Sequence, residues 1–146
     1  MNSGRLANSG NKMSTNIVVL MDGLGGGSSG PVSVLQQTAV AGVAISALKC
    51  VRVFNGTASV VSSNTVGDAG SIVGVTTVAG NAGNTITIQT SGPLTDASFS
   101  FVEGQIWCGG DGSLTQTPPV SGFNQVIGTS EGAHTIQIGI QQPYLI

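Results

Sequence analysis

The feature that most constrains the fold is a pattern of turn and strand residues that occurs twice. The first copy contains Asn55-Gly56, Ile72-Val73-Gly74, Ile86-Thr87-Ile88 and Pro93-Leu94, and the second contains Asp111-Gly112, Val126-Ile127-Gly128, Ile136-Gln137-Ile138 and Pro143-Tyr144. Successive matches lie 56, 54, 50 and 50 residues apart, as they would if the second copy had lost loop residues. Self-similarity on this scale indicates two related halves. We therefore predict an internal repeat of about residues 49–94 and 105–144 within a domain of residues 31–146.

Short alternating segments separated by turn residues predict strands throughout this domain. Asn55-Gly56 is typical of a two-residue type I′ hairpin, in which both central residues have positive φ. The segment from Thr85 to Thr90 alternates apolar and polar residues with a period of two, and Gly92-Pro93 is expected to turn the chain. No segment has the pattern of a capped amphipathic helix. The pattern predicts an all-β protein, a small barrel or sandwich.

Residues 1–30 differ in composition from the rest and are predicted to form an N-terminal arm. A polar stretch of residues 1–16 precedes the apolar segment Ile17-Val18-Val19-Leu20-Met21, and a glycine-rich linker follows it. Five apolar residues cannot form a core of their own, so this segment must dock on its own barrel, on a sister subunit or on another protein. We predict that Ile17, Val18, Val19 and Leu20 contact a neighbour; the alternative is an ordinary first strand followed by a long loop.

The low charge of the chain favours a protein that packs against other copies or partners. Only 7% of the residues are charged and the formal net charge is −2, whereas an average globular chain has about a quarter charged residues. Interfaces in permanent assemblies are depleted in charge at their centre. A soluble monomer with a neutral polar surface is the alternative.

Composition also argues against several classes of partner. The four basic residues Arg5, Lys12, Lys49 and Arg52 are too few for phosphate-driven binding of nucleic acid. No apolar run approaches the roughly 20 residues of a membrane span, and the first residues lack the apolar core of a secretory signal. We expect neither nucleic acid nor membrane as a partner.

Candidate catalytic or metal-binding residues are few and scattered. His134 is the single histidine, and a surface or interface position explains it better than catalysis, which needs a nucleophile, a base and an orienting group together. Asp68 and Asp111 adjoin glycines, so turn formation explains both. Cys50, Cys108 and His134 fall short of a four-ligand zinc site. We predict no enzyme activity, no catalytic residue, no metal and no cofactor.

The cysteines and the aromatic residues are assigned to packing. Cys50 and Cys108 are expected to be free, buried thiols, although the sequence leaves a disulfide between them open. Phe54, Phe99, Phe101 and Phe123 are expected in the core. Trp107 is also placed there by default, but if exposed it would be an interface anchor, because Trp is enriched in binding hot spots.

The order of motifs resembles a known family. A hairpin tip at Asn55-Gly56 is followed by an Ile-Val-Gly strand and a Thr-Ile-x-Ile strand that ends in Gly-Pro-Leu. Glu103-Gly104, a strand through Trp107, the segment from Asp111 to Thr115 and Val126-Ile127-Gly128 complete the order. This order is similar to that of the tailed-phage capsid cement proteins, also called decoration or head-fibre base proteins, which are small β-barrels. The resemblance covers residues 32–146.

The resemblance implies a virion structural protein that is made in the host cytoplasm and sits on the outer capsid surface. Such proteins are commonly homotrimers that bind the major capsid protein and lock neighbouring coat subunits. The arm, the linker and the low charge depart from the family pattern. They leave a tail or fibre role open, as a receptor-binding, carbohydrate-binding or adaptor module.

Overall fold

Period-two segments and turn residues produce a chain of short strands in the computed structural model, which describes residues 18–21 and 33–146. Within these residues the fold is all-β, as predicted, with one 3₁₀ turn at Val66–Asp68 and no α-helix. The twelve strands are β1 (Val18–Met21), β2 (Ser33–Ala41), β3 (Cys50–Phe54), β4 (Thr57–Val60), β5 (Gly74–Thr76), β6 (Thr85–Thr95), β7 (Gly104–Cys108), β8 (Leu114–Thr115), β9 (Phe123–Asn124), β10 (Val126–Ser130), β11 (Thr135–Gly139) and β12 (Tyr144–Leu145).

Five strands close into a first ring. The strand order is β2-β4-β3-β5-β6, and β6 pairs back with β2 along Gln36↔Gln89 to Val40↔Thr85. The β2–β4 pair is parallel and the others are antiparallel. A ring of five strands leaves room only for small or slender side chains. Its interior, the first core, is accordingly built from alanine and β-branched residues: Ala39, Ala41, Ile45, Val51, Ala58, Ile86 and Ile88.

A second ring uses three of the same strands. The order continues β3-β5-β6-β11-β10-β7-β8, and an isolated bridge between Lys49 and Ser113 connects β8 back to β3. The Cys50 N–H donates to the Gly112 carbonyl at 2.8 Å beside that bridge. The interior of this ring is the second core, which contains larger buried side chains: Cys50, Val61, Ile72, Val75, Phe99, Ile106, Cys108, Phe123, Ile127, Ile136 and Ile138.

Two of the shared strands, β3 and β6, supply residues to both cores, and in β3 this follows because successive side chains of a strand point to opposite faces. In β3, Val51 faces the first core and Cys50 the second. In β6, Ile86 and Ile88 face the first core, whereas Leu94 packs against the second. The wall of β3, β5 and β6 therefore belongs to both rings, and its strand β3 has one hydrophobic core on each face.

The two halves of the sequence pair their strands in the same order. In the first half, the β3–β4 hairpin is followed by β5, which pairs with β3, and by β6, which pairs with β5. In the second half, β7–β8, β10 and β11 repeat these pairings, and the halves meet where β6 pairs with β11. The internal repeat itself stays a prediction, with this common order as its support.

The two turns that correspond in the repeat, Asn55-Gly56 and Asp111-Gly112, differ in conformation. Asn55 and Gly56 have φ of 51° and 77°, as a type I′ turn requires, and Phe54 pairs with Thr57 across them. At the other tip only Gly112 has positive φ, and its N–H donates to the Gly109 carbonyl at 3.1 Å. The second tip is therefore a longer turn, in which the Asp111 carboxylate accepts the Ser113 N–H at 3.1 Å.

The expectation that Gly92-Pro93 turns the chain is wrong. Strand β6 continues through both residues to Thr95, and Pro93 pairs with Gln137 of β11. Gly92 adopts φ of +94°, and a Cβ there would overlap the Ser33 carbonyl oxygen. The glycine thus bends one strand at a close contact with β2, and this bend carries β6 from the first ring into the second.

Two glycines in β5 and β10 allow close approach between neighbouring strands. A Cβ at Gly128 would overlap the Gln137 carbonyl oxygen, and one at Gly74 would overlap that of Gln89. The overlapped atom in each case belongs to the backbone of a paired strand, so displacing it would cost considerable free energy. Gly139 in β11 has no atom within 4 Å of the equivalent position.

We therefore expect Gly128→Ala and Gly74→Ala to lower the free energy of unfolding by about 2–4 kcal/mol each. The control Gly139→Ala adds the same methyl group to a strand where there is space, and should change it by less than about 0.5 kcal/mol. Urea unfolding followed by circular dichroism measures all three. Equal stability of the Gly128 and Gly139 variants would contradict the close approach.

Candidate attachment surfaces

The predicted arm segment lies at an edge of the sheet. Strand β1 pairs antiparallel with β2 in the register Val18↔Gln36 to Met21↔Ser33. It lies at one end of the sheet, so its outer edge has no partner strand among the described residues. Val18, Val19 and Leu20 are therefore placed on the chain's own barrel, whereas Ile17 lies outside the described residues. Their contact with a neighbour stays a prediction, which an open strand edge permits.

Trp107 is half-buried rather than fully inside. It lies in β7 between the buried Ile106 and Cys108, so its side chain points away from the second core. Its backbone pairs with Val126 and Thr115. The indole Nε1–H is covered and has no hydrogen-bond partner among the described residues. Its role as an interface anchor stays a prediction.

Ten large apolar side chains are exposed on the described surface. Val120 is 88% exposed and Phe54 75% exposed. The other large apolar residues that are exposed are Val40, Val43, Val66, Val78, Val102, Tyr144, Leu145 and Ile146. The last three end the chain at β12, whose pairing with β9 forms a separate two-stranded sheet. Exposed apolar groups that cluster mark interaction sites more often than isolated ones do.

Both basic residues of the range 33–146 are held in ion pairs. The Lys49 ammonium lies 3.4 Å from the Asp111 carboxylate and donates to Ser113 Oγ at 3.0 Å. The Arg52 guanidinium lies 2.5 Å from the carboxylate of Asp68. Asp111 also accepts hydrogen bonds from the side chain and backbone of Ser113, and these, with Lys49, lower the pKa of Asp111. Neither basic side chain of residues 33–146 is therefore unpaired.

The Arg52–Asp68 pair corrects the sequence interpretation of Asp68 as a simple turn residue. Its carboxylate is buried, accepts the Arg52 guanidinium, and also accepts the Ser62 N–H at 3.2 Å. Sequence reasoning missed the pair because the two residues are separated by a hairpin and a loop. The only local signal was one acidic residue in a 3₁₀ turn that follows the hairpin.

Phe54 was expected in the core, but it is exposed at the surface. The β3–β4 hairpin extends past the second core, so the face that buries Cys50 and Val61 continues outward as Arg52, Phe54 and their cross-strand neighbours. There it borders a shallow open cleft of about 500 Å³. We call it the hairpin cleft, and its lining residues are Arg52, Val53, Phe54, Thr57, Ser59 and Ser71. The position of Phe54 directly before Asn55-Gly56 was the available signal, since residues at a hairpin tip project from the body.

The two cysteines are free and fully buried, as expected, and they are neighbours. The side chains of Cys50 and Cys108 hydrogen-bond to each other, and Cys108 Sγ also lies 3.7 Å from the Val61 carbonyl oxygen. This hydrogen bond and burial raise the pKa of Cys50 well above its usual value. Because both thiols are also inaccessible to solvent, these cysteines are predicted to be inert in the folded protein.

The remaining chemistry-bearing residues are dispersed. His134 is exposed, and its Nδ1 lies 2.6 Å from the Phe99 carbonyl oxygen. Across residues 18–21 and 33–146, no three His, Cys, Asp or Glu side chains are close enough together to share a metal ion. None of the helical segments in the described part of the chain has the length and hydropathy needed to cross a membrane.

Comparison with solved structures gives a weak structural likeness. No protein-family model matches the chain, and no curated protein matches its sequence. Among solved structures, the chain is similar to the head fibre gp8.5 N base of bacteriophage phi29, with 18% sequence identity and a TM-score of 0.45. The similarity covers 73% of this chain and 94% of the other. A likeness of this degree carries no argument about function.

The thiol environment generates a direct prediction. With the protein folded at pH 8, we expect neither Cys50 nor Cys108 to react with an aromatic disulfide reagent over several minutes, because both thiols are fully buried and the pKa of Cys50 is raised. Both should react at once in denaturant, giving two thiols per chain. Spectrophotometric titration measures this. Rapid reaction of either thiol in the folded protein would contradict the buried pair.

Proposed function

We propose that this chain is a virion structural protein that decorates a bacteriophage capsid. It binds the outer lattice as a homo-oligomer, a trimer by the family resemblance, and stabilises contacts between coat subunits. The observation that carries the proposal is the surface of the described domain, which is poor in charge and rich in exposed apolar side chains. Such a surface favours permanent packing against other subunits over a solitary existence in solution.

The charges of the described domain illustrate this. Residues 33–146 contain seven charged side chains: Lys49, Arg52, Asp68, Asp96, Glu103, Asp111 and Glu131. Four of them are in the two ion pairs, so three acidic groups remain. Repulsion between copies is correspondingly weak. Association would be driven by burial of apolar area at about 25 cal/mol per Å², and would therefore resist salt.

The arm is proposed to supply a second mode of attachment. A strand with an open edge can pair with a strand of another chain, and backbone hydrogen bonds then provide affinity without needing charge. Strand β1 is such an edge strand, and its removal leaves the ring β2-β4-β3-β5-β6 closed. Attachment and folding are thus separable in this architecture.

A receptor-binding module of a tail or fibre is the second candidate function. The observation that favours it is the exposed Phe54, which stands among the polar groups of the hairpin cleft. The two roles use different surfaces and are compatible in one virion protein.

The oligomeric state provides the first test. We expect size-exclusion chromatography with light scattering to give three times the 14.5 kDa chain mass, both at low salt and at about 1 M NaCl, where charge pairing is screened. A monomer at both salt concentrations would contradict self-association in solution. Dissociation by salt alone would contradict apolar burial as its cause.

Deletion of residues 1–30 tests the arm. We expect the truncated chain to keep its β-rich circular dichroism and a cooperative melt, because both rings stay closed without β1. It should no longer co-sediment with empty capsids assembled from the major capsid protein of the same virus.

A matched variant separates the strand from the rest of the arm. Val19→Pro keeps the arm but removes a backbone donor from β1, which impairs strand pairing. It should reduce co-sedimentation by about tenfold or more, the loss expected for a little over 1 kcal/mol. Full capsid binding by both variants would refute the arm, and no binding by the intact chain would refute the capsid role.

A further inference from the structure

The hairpin cleft combines features that no capsid contact requires. Strands β3 and β4 each have one face on the first core over their full length, through Val51, Val53 and Ala58. On the opposite face only Cys50 and Val61, at the base of the hairpin, reach the second core. The outer part of that face is therefore not covered by either core within the described residues.

The exposed ring of the cleft sits on a rigid support. Phe54 is 75% exposed, yet its backbone is paired in a two-residue hairpin whose central residues both have the φ of a tight turn. A rigid aromatic side chain can be covered by a ligand with little loss of conformational entropy. The face of such a ring accepts the weakly positive C–H groups of a flat, partly apolar molecule.

Polar groups with unused hydrogen-bonding capacity surround the ring. The hydroxyls of Thr57 and Ser59 make no hydrogen bond to the described residues, and both line the cleft. The Ser71 hydroxyl donates to the Asp68 carbonyl at 2.7 Å and keeps its own lone pairs available. A ligand rich in hydroxyl groups matches this mixture of donors and acceptors.

Arg52 is the strongest donor of the cleft, and its position is fixed. One guanidinium nitrogen contacts Asp68, and the side chain of Arg52 is 43% exposed. Arginine has five N–H donors, so the ion pair leaves donors available in a fixed orientation. The buried Asp68 compensates the charge, which weakens any preference for an anionic ligand. Asp68 is a positioning residue in this arrangement.

We propose that the hairpin cleft binds a neutral saccharide. A pyranose ring stacks its C–H face on Phe54, and its hydroxyl groups hydrogen-bond to Arg52, Thr57 and Ser59. One ring and several polar groups are what a sugar needs, whereas a protein partner would be expected to bury a wider apolar face. This inference goes beyond the capsid role, and either can fail alone because the arm and the cleft use different residues.

Amide chemical shifts of the full chain provide the test, with methyl β-D-galactopyranoside, methyl β-D-glucopyranoside and methyl N-acetyl-β-D-glucosaminide as probes. At least one probe should shift the amides of Asn55, Gly56 and Thr57 saturably, with a dissociation constant of about 1–10 mM, as expected for a shallow single-sugar site. No saturable shift at the hairpin with any of the three sugars at about 50 mM would overturn the proposal.

Three variants in the cleft and one control outside it show which residues contribute to binding. Phe54→Ala should weaken binding about tenfold, whereas Phe54→Trp should preserve or strengthen it. Arg52→Lys keeps the charge but removes the planar fork, and should weaken binding by about threefold to tenfold. Val120→Ala shortens another highly exposed apolar residue outside the cleft, and should leave binding unchanged.

Two further results would overturn the proposal. One is equal binding by the wild-type chain and Phe54→Ala, since the ring would then be irrelevant. The other is a change in oligomer mass for Phe54→Ala, since the ring would then be covered by a second copy. Because Phe54 is exposed, its replacement should move the melting temperature by no more than about 2 °C, which keeps loss of binding distinct from unfolding.

Discussion

The architecture depends on one wall of three strands, β3, β5 and β6, that belongs to both rings. Because side chains alternate along a strand, β3 places Val51 in the first core and Cys50 in the second, whereas β5 contributes Val75 to the second core alone. Such a wall tolerates little change on either side. Where two neighbouring backbones must approach closely, as at Gly74 and Gly128, even a methyl group has no space.

Closure of the two rings explains why the chain manages with so little charge. A closed ring leaves few unpaired strand edges, which are a common cause of unwanted association between β proteins. Charged groups are consequently not needed along most strands to prevent edge pairing. The edges that stay open, such as that of β1, become candidate places for controlled pairing with another chain.

Functional surfaces arise where strand pairs extend beyond the cores. The β3–β4 hairpin is longer than the second core is wide, and its outer face therefore presents Phe54 and the ion-paired Arg52 to solvent. The same hairpin base contributes Cys50 and Val61 to the second core. A stable scaffold and a binding surface are thus combined in one pair of strands, with the boundary set by the extent of the core.

Two predictions that depended on local sequence were confirmed. The Asn55-Gly56 turn formed as expected, because the φ values of a two-residue hairpin are set by those two residues. The all-β class also followed from local alternation. Errors arose where a distant segment decides the outcome. Gly92 bends a continuous strand because Ser33, far away in sequence, lies against it.

The sequence by itself determined the all-β class and the main turns, and its low charge favoured an assembly function. These properties are local or compositional, so they need no knowledge of which segments meet. Only the tertiary structure decided how the rings close, through contacts such as that of Lys49 with Ser113, 64 residues away. It also decided that Cys50 meets Cys108, that Arg52 meets Asp68 and that Phe54 is exposed. Strand alternation tells which residues share a face, but the partner that covers that face is chosen by long-range pairing.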